Sequence, residues 1–398
     1  YALTIVGDLE GADAILSTPP RQGVVPSRDS IETHINIMAR LGDFDRANAL
    51  IDANFGNASD PALDVLRAAI ANGEVPGPAR VSSPREGIAY ALLGLADVLQ
   101  GEANAAYLLM YAQAATHVDP DHPTATLTAA RLLGELGQYD LAAETFAKVG
   151  PDDMLFHTAE LGRAESLRAG GKVDAAIEVL TQLTRSHADL PVVHAALGDL
   201  YRGNGDFQKA NDAYTTALAL YPDVDPARWW VTYSRGITYE RMDQWPEAEA
   251  DFRTALDLNP GQPSVLNYLG YSMVEKGINL DEALAMIEQA AAERPDNGAI
   301  IDSLGWVLFK LGRFDEAVTH MEKAVELEPV DPVVTDHLGD VYWMVGREAE
   351  ARFQWQRALS FDPEPDEAER IRRKLDIGLT AVLTEEGADL SEMAYDRQ

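Results

Sequence analysis

The sequence predicts an all-α solenoid built from about nine or ten helical hairpins. Three observations predict it: a glycine that returns about every 34 residues, small residues at fixed distances after it, and a proline that ends each unit. The successive glycines stand 38, 34, 35 and 34 residues apart. They are Gly198, Gly236, Gly270, Gly305 and Gly339. A period of this length is typical of stacked helix-turn-helix units.

Each of the five units repeats one pattern of residue types after its glycine. In the first unit "LGDLY" (197–201) is followed by Ala210, Tyr214, Ala217 and Pro222. In the fourth unit "LGWVL" (304–308) is followed by Ala317, Met321, Ala324 and Pro329. This is the tetratricopeptide (TPR) pattern, a helix-turn-helix whose small residues let the two helices pack closely. Because each hairpin leaves an apolar face uncovered, the hairpins must stack, and we expect a right-handed superhelix.

Regularity varies along the chain and divides it into five segments. We predict irregular helical hairpins over 1–83, divergent TPR-like repeats over 84–190, five regular TPR repeats over 191–363, a polar capping helix over 364–378 and a C-terminal tail over 379–398. The tail is expected to be extended and either to fray or to pack back on the array. The chain begins in what reads as the middle of a hairpin, so we interpret it as a fragment of a longer protein.

The irregular part still carries second-helix starts of the same kind. They are "GDLEGADAIL" (7–16), "GDFDRANALI" (42–51), "GQYDLAAETF" (137–146) and "GKVDAAIEVL" (171–180). A further hairpin is predicted between Ser83 and Pro120, whereas the segments rich in Pro and Gly at 17–27 and 72–84 are predicted loops.

Composition disfavours several classes of partner. Lys and Arg number 32 against 65 Asp and Glu, which gives a formal net charge of −33. Nucleic acid and anionic membrane surfaces are bound largely through cationic side chains, so neither is an expected partner. The chain has no cysteine, which excludes disulfides, thiolate catalysis and Cys-ligated zinc. No apolar run approaches the ~18 residues that a membrane span requires.

Motifs for catalysis or cofactor binding are not found in the sequence. It contains no Walker loop, dinucleotide-binding glycine pattern, nucleophile elbow or H-E-x-x-H zinc motif. The densest group of metal-ligand residue types is "HVDPDH" (117–122), which is also an ordinary proline-containing joint between repeats. We therefore predict a non-enzymatic protein with no catalytic, cofactor or metal site. An enzyme or ligand-binding protein that uses the irregular N-terminal part is the least favoured alternative.

One stripe of the first helix in each hairpin is the predicted partner-binding groove. At 100° per residue, positions 2, 5, 9 and 12 of a repeat fall on one face, beside the packing positions 4, 7, 8 and 11. Exposed aromatic side chains with polar neighbours on such a face are typical of peptide binding. The candidate residues are Trp230, Tyr233, Asn267, Tyr271, Asp302, Trp306, Phe309, Asp336, Asp340 and Trp343. The alternative is that these side chains tilt into the next repeat and only pack.

The stripe also indicates the chemistry of the partner. Chaperone-type TPR clamps for C-terminal carboxylates use groove lysines and an asparagine, whereas this stripe carries aspartates. A basic or apolar protein segment is therefore the expected ligand.

The C-terminal half resembles the TPR region of proteobacterial outer-membrane lipoproteins. The resemblance covers about residues 190–375 and rests on the succession "LGY", "DSLGW" and "HLGDVYW" (269–271, 302–306 and 337–343). Members of that family are adaptors that hold a periplasmic C-terminal-processing protease and present cell-wall hydrolases to it. The resemblance implies a periplasmic scaffold anchored to the outer membrane through a lipid on a missing N-terminus. The alternatives are a self-assembling structural subunit of an envelope complex and a cytoplasmic TPR co-factor.

Overall fold

A computed structural model describes residues 2–19, 26, 28–56, 61–76 and 83–387. In these residues the chain forms 23 α-helices and no strand, which confirms the all-α prediction. Of the two predicted loops, residues 20–25, 27 and 77–82 lie outside the described residues, as do residues 388–398 of the predicted tail. The chain divides into two compact units, residues 1–248 and 249–398.

Within the described residues the first unit contains fourteen complete helices, most of which pair into successive hairpins. Its helices are α1 (Ala2–Ile5), α2 (Leu9–Leu16), α3 (Arg28–Arg40), α4 (Phe44–Phe55), α5 (Pro61–Ala71), α6 (Pro84–Val98), α7 (Ala105–Val118), α8 (Pro123–Glu135), α9 (Tyr139–Phe146), α10 (Phe156–Ala169), α11 (Val173–Ser186), α12 (Pro191–Gly203), α13 (Phe207–Leu220) and α14 (Arg228–Arg241). Helices α2, α4, α9 and α11 begin at the four predicted second-helix starts. The hairpin predicted between Ser83 and Pro120 is formed by α6 and α7.

The second unit continues the same alternation of first and second helices. Helix α15 (Trp245–Leu258) includes the residues at the boundary between the units. It is followed by α16 (Pro263–Glu275), α17 (Leu280–Glu293), α18 (Gly298–Lys310), α19 (Phe314–Leu327), α20 (Pro332–Met344), α21 (Glu348–Leu359), α22 (Pro365–Ile377) and α23 (Leu379–Glu385). The extended conformation expected after residue 378 is wrong for residues 379–385, because Leu379, Val382 and Leu383 are buried and form one face of α23.

A residue with positive φ follows the first helix of nearly every described hairpin and turns the chain toward the second helix. Gly312 has φ of 76°, and its N–H donates to the Phe309 carbonyl over 3.0 Å. The next N–H, of Arg313, donates to the Leu308 carbonyl over 2.9 Å. This pair of bonds satisfies the last carbonyls of α18 and needs a residue that tolerates positive φ. Asp243, with φ of 58°, stands at the corresponding place after α14.

The repeated helix glycine sets the distance between the two helices of a hairpin. A methyl group at Gly339 would lie 2.5 Å from the indole ring of Trp355 on the second helix. Gly198, Gly270 and Gly305 face Tyr214, Ile287 and Met321 in the same way, at 2.7 to 2.8 Å. The glycine and the large residue opposite it are therefore one packing unit, which explains why they recur together in the sequence.

We expect Gly339→Ala to lower the free energy of unfolding by about 1–3 kcal/mol, because Trp355 is fully buried and has no room to move away. The measurement is urea unfolding followed by circular dichroism. Gly203→Ala is the control, since a methyl there meets nothing within 4 Å. Alanine also favours helix over glycine by up to ~1 kcal/mol, so the control is expected to be neutral or slightly stabilising. Equal losses in both variants would contradict this packing account.

Candidate partner-binding surface

The ten predicted groove residues all lie on first helices, namely α14, α16, α18 and α20. The exposure expected of them is wrong for most of the set. Only Trp230 is exposed, with 41 % of its surface accessible, whereas Tyr233, Asp302, Trp306, Phe309 and Asp340 are buried. Asn267, Tyr271, Asp336 and Trp343 are partly buried. Within the second unit the physical reason is that side chains of a neighbouring first helix contact the stripe, as they do at Asp302, Trp306, Asp336 and Asp340.

Trp306 is an interior residue that joins three first helices. Its indole ring is 5 % exposed and is stacked between Phe309 and His337, with ring centroids 4.7 and 3.9 Å away. Its Nε1–H donates to Oε1 of Glu275 on α16 over 2.6 Å. The expectation that Trp306 and Phe309 face open solvent is therefore corrected, because α20 supplies a flat imidazole that covers the indole.

His337 also pairs with Asp302, another predicted groove residue. The His337 Nδ1 atom lies 3.0 Å from both carboxylate oxygens of Asp302, and both side chains are buried. Burial alone lowers the pKa of His337, but the negative charges of Asp302, Asp336 and Asp340 outweigh it and the net shift is upward. Asp302 thus serves an internal ion pair instead of an open groove.

The aspartates of α20 are bound by a lysine from the capping segment. Lys374 on α22 is fully buried, and its Nζ lies 2.7 and 2.6 Å from the two oxygens of Asp336 and 2.6 Å from Oδ1 of Asp340. The Trp355 Nε1–H donates to the same Asp340 oxygen over 2.8 Å. Burial and the charge of Asp340 raise the pKa of Asp336 to about 6. The exposure predicted for Asp340 is therefore wrong, since α22 and α21 enclose it.

The last aromatic of the stripe is covered by the C-terminal hairpin. Trp343 donates its Nε1–H to Oγ1 of Thr380 over 2.9 Å. A methyl group built at Gly378 would lie 2.5 Å from its ring, so only glycine allows this close approach. The connection between α22 and α23 therefore lies directly on the indole.

Trp230 on α14 is the exposed member of the predicted set. The rings of Trp229 and Tyr233 lie 5.8 and 5.6 Å from its ring, so the three side chains form one aromatic cluster. Tyr233 is buried and Trp229 is partly buried, which fixes the base of the cluster while Trp230 projects. We refer to these three residues as the α14 aromatic cluster.

On α16 the stripe is polar and partly enclosed. Burial, together with the charges of Glu275, Asp302 and Glu367, raises the pKa of Tyr271. The Oδ1 atom of Asn267 is buried and has no hydrogen-bond partner within the described residues. This part of the surface is acidic, and its tyrosine stays un-ionised at neutral pH.

Three residues outside the predicted groove set, His337, Lys374 and Glu275, determine where the stripe residues lie. His337 directly follows a stripe position and stands outside the 2, 5, 9 and 12 pattern. Lys374 belongs to the predicted polar capping helix at 364–378. The available signal was a pairing of charges about one repeat apart, because Lys374 follows Asp340 by 34 residues.

Other classes of site find no support in the described part of the chain. In "HVDPDH" the His122 side chain is buried, and its Nδ1 accepts the Ala125 N–H, so the imidazole caps α8. Within the described ranges no group of three or more His, Asp or Glu side chains is placed to hold a metal ion. No helix in those ranges is long and apolar enough to cross a membrane.

Comparison with known protein families agrees with this geometry. Three tetratricopeptide repeat family models match the chain. One matches residues 127–191 and 233–298, the second matches residues 191–224, and the third matches residues 278–336. The chain is a tetratricopeptide repeat protein. The matched residues run from α8 to α20 and include every predicted groove residue up to Asp336, apart from Trp230.

Relatives of this TPR protein differ from it in length. It is 28 % identical over 185 residues to TPR repeat-containing protein PA4667 of Pseudomonas aeruginosa, a match that covers 46 % of this chain and 30 % of the relative. The chain thus spans less than a third of that relative's length.

Several crystal structures have a similar fold, and two of them match more than half of this chain. One contains the APC/C hetero-tetramer Cut9–Hcn1, with a TM-score of 0.54, 16 % identity and coverage of 95 % of this chain and 82 % of that chain. The other is a tetratricopeptide repeat protein from Parabacteroides merdae, with a TM-score of 0.51, 19 % identity and coverage of 65 % and 98 %. At these identities the similarity concerns the fold alone.

Proposed function

We propose that this TPR protein is a non-enzymatic scaffold that binds partner proteins or peptide segments through the α14 aromatic cluster. The exposed Trp230 is the observation that carries the proposal. A tryptophan that is 41 % exposed leaves a large apolar surface in water, and the cluster beneath it holds the ring in place. Such fixed aromatic anchors supply much of the binding energy in protein interfaces.

The net charge of the protein indicates which kind of partner segment it attracts. With a formal net charge of −33, the protein attracts basic segments and repels nucleic acid and anionic lipid. An apolar side chain that packs on Trp230, flanked by Lys or Arg, is the ligand that suits this surface.

The finer proposal concerns the biological setting. The resemblance of residues 190–375 to outer-membrane TPR lipoproteins supports an adaptor in the bacterial periplasm that links a C-terminal-processing protease to cell-wall hydrolases. Outer-membrane anchoring through a lipid is part of the same proposal.

We expect Trp230→Ala to weaken binding of a purified C-terminal-processing protease by about tenfold to a hundredfold, the usual effect of removing an aromatic anchor. Titration calorimetry on the purified proteins measures it. Phe353→Ala is the matched control, because Phe353 is 62 % exposed but lies on the second helix α21. Unchanged affinity of Trp230→Ala would contradict the proposed surface, and a wild-type chain that does not bind the protease would contradict the finer assignment.

The oligomeric state distinguishes a scaffold that binds other proteins from a structural subunit that assembles with itself. Light scattering of the wild-type chain is expected to report a monomer. A dimer that Trp230→Ala dissociates would instead assign the aromatic cluster to self-assembly.

A further inference from the structure

Helix α6 in the first unit carries an exposed apolar stripe along its length. Ile88 is 53 % exposed, Leu95 is 49 % exposed and Val98 is 72 % exposed, and Ala91 between them is exposed as well. These residues stand 3, 4 and 3 positions apart, which is the spacing of positions 2, 5, 9 and 12 of a repeat. At 100° per residue their side chains share one face of the helix. We call Ile88, Ala91, Leu95 and Val98 the α6 stripe.

A cavity of about 370 Å³ lies beside this stripe, between α6 and the helices α1, α2 and α3. The apolar part of its wall consists of Leu3, Ala12, Ile15, Leu16 and Leu93. Gly94 also lines the cavity, and it stands three residues after Ala91 and four before Val98. Residues at these distances are neighbours on a helix surface, so the cavity adjoins the α6 stripe. Its volume falls in the range of ligand pockets, roughly 300–1,000 Å³, and is enough for one large apolar side chain.

Gly94 keeps space open at the edge of the cavity. A methyl group built there meets nothing within 4 Å, whereas one at Gly339 would lie 2.5 Å from an indole ring. A glycine inside a helix costs about 1 kcal/mol relative to alanine, and at Gly339 close packing accounts for that cost. At Gly94 no neighbouring atom in the described part of the chain requires a glycine. The open space beside it is therefore room for a side chain that comes from outside.

The charges around the α6 stripe favour a cation at one end of it. Asp97 lines the cavity and Glu102 follows the end of α6, and both are exposed. The last carbonyl groups of α6 add negative partial charge at this end. The first turn instead carries charges of both signs, Arg85 and Glu86. A partner that places a Lys or Arg near Val98 therefore matches the surface in charge.

The length of the α6 stripe favours a short partner segment over a second copy of this chain. From Ile88 to Val98 an α-helix rises about 15 Å, so the stripe offers only a fraction of the ~800 Å² per partner that a stable dimer buries. Two copies that each carry a formal net charge of −33 also repel each other. Where a stripe of this spacing is covered inside the protein, the cover is a helix, as α22 shows by placing Lys374 on Asp340 of α20.

We propose that the α6 stripe and the cavity beside it bind a short amphipathic helix of a partner protein. The apolar face of that helix packs on the α6 stripe, and one of its large apolar side chains enters the cavity beside Gly94. A Lys or Arg at the edge of the same face lies near Asp97 and Glu102. In this mode of recognition, apolar residues three and four positions apart supply the anchors. The inference does not depend on whether Trp230 binds a partner, because the two surfaces share no residue.

Fluorescence anisotropy with a labelled model peptide tests the proposal on the full chain. The peptide has about 14 residues, or four helical turns, and consists of Leu and Lys with all leucines on one helical face. We expect it to bind at least tenfold more tightly than a peptide of the same composition whose leucines are spread over all faces. Equal affinity of the two peptides would mean that charge alone attracts them, and the proposal would be wrong.

Two substitutions on α6 test where the peptide binds. Leu95→Gln removes apolar surface from the middle of the stripe, and Gly94→Leu fills the cavity from its own helix. Each is expected to weaken binding about tenfold and to leave the helical circular dichroism unchanged, because Leu95 is half exposed and position 94 faces open space. Met110→Gln is the matched control, since Met110 is 60 % exposed on α7 of the same hairpin, and it is expected to bind like the wild type. A Leu95→Gln chain that binds as tightly as Met110→Gln would overturn the proposal.

Charge and self-association are tested in two further measurements. A peptide with Glu in place of every Lys is expected to bind at least tenfold more weakly, and undiminished binding would contradict the assigned role of Asp97 and Glu102. Sedimentation of the chain without peptide is expected to give a monomer. A dimer that Leu95→Gln dissociates would instead assign the α6 stripe to a second copy and refute the proposed partner.

Discussion

Trp306→Ala is expected to lower the free energy of unfolding of the second unit by about 3–5 kcal/mol, the usual cost of removing a buried tryptophan. The indole is 5 % exposed, stacks on Phe309 and His337, and holds Glu275 through a hydrogen bond. Its removal leaves a cavity between three helices. Guanidinium unfolding followed by circular dichroism gives the change in free energy.

Phe353→Ala is the matched control for this loss of stability. Phe353 is a large aromatic on the same unit, but it is 62 % exposed. Surface substitutions of this kind usually change stability by no more than about 0.5 kcal/mol. A Trp306→Ala protein that keeps wild-type stability but loses partner binding would contradict the buried position of Trp306. It would instead indicate that Trp306 lies exposed in an open groove.

Lys374→Met is expected to destabilise the second unit by about 3–5 kcal/mol, because it leaves two buried carboxylates without their central cation. Asp336 and Asp340 both lie within 2.7 Å of the ammonium group, and Lys374 has no exposed surface. Thermal and urea unfolding measure the loss. It is expected to be smaller at about pH 5.5, where protonation of Asp336 removes one charge.

Two further variants distinguish charge compensation from simple packing. Lys209→Met removes a lysine that is 61 % exposed and pairs with Asp206 at the surface, where ion pairs contribute at most about 1 kcal/mol. Adding Asp336→Asn and Asp340→Asn to Lys374→Met is expected to restore part of the lost stability, because the uncompensated charges are gone. A triple variant no more stable than Lys374→Met would mean that the lysine acts through packing alone.

The fold could be predicted from sequence because its determinants are local and repeated. The helix glycine, the large residue opposite it and the left-handed turn residue recur in each unit, and each follows from packing within one hairpin. Gly339 and Trp355 are an example, since the indole ring of Trp355 packs against a glycine that stands only 16 residues earlier in the chain. Helix starts such as that of α9 at Tyr139 follow from the same local pattern.

The exposure of the candidate site could not be predicted in the same way. A stripe calculated at 100° per residue shows which side chains share a face, but it does not show how closely the next first helix approaches that face. Trp306 is covered by an imidazole 31 residues later, and Asp340 by a lysine 34 residues later. These contacts depend on the stacking of repeats, which a single hairpin pattern does not specify.

Photo-crosslinking tests the central claim, that the α14 aromatic cluster is the surface that binds a partner, most directly. A benzophenone amino acid replaces Trp230 in one variant and Phe353 in another, so both probes are exposed and aromatic. After irradiation in a bacterial envelope extract, mass spectrometry identifies the adducts. We expect position 230 to form an adduct with a distinct partner protein that position 353 does not form. Adducts from position 353 alone, or only with a second copy of this chain, would contradict the claim.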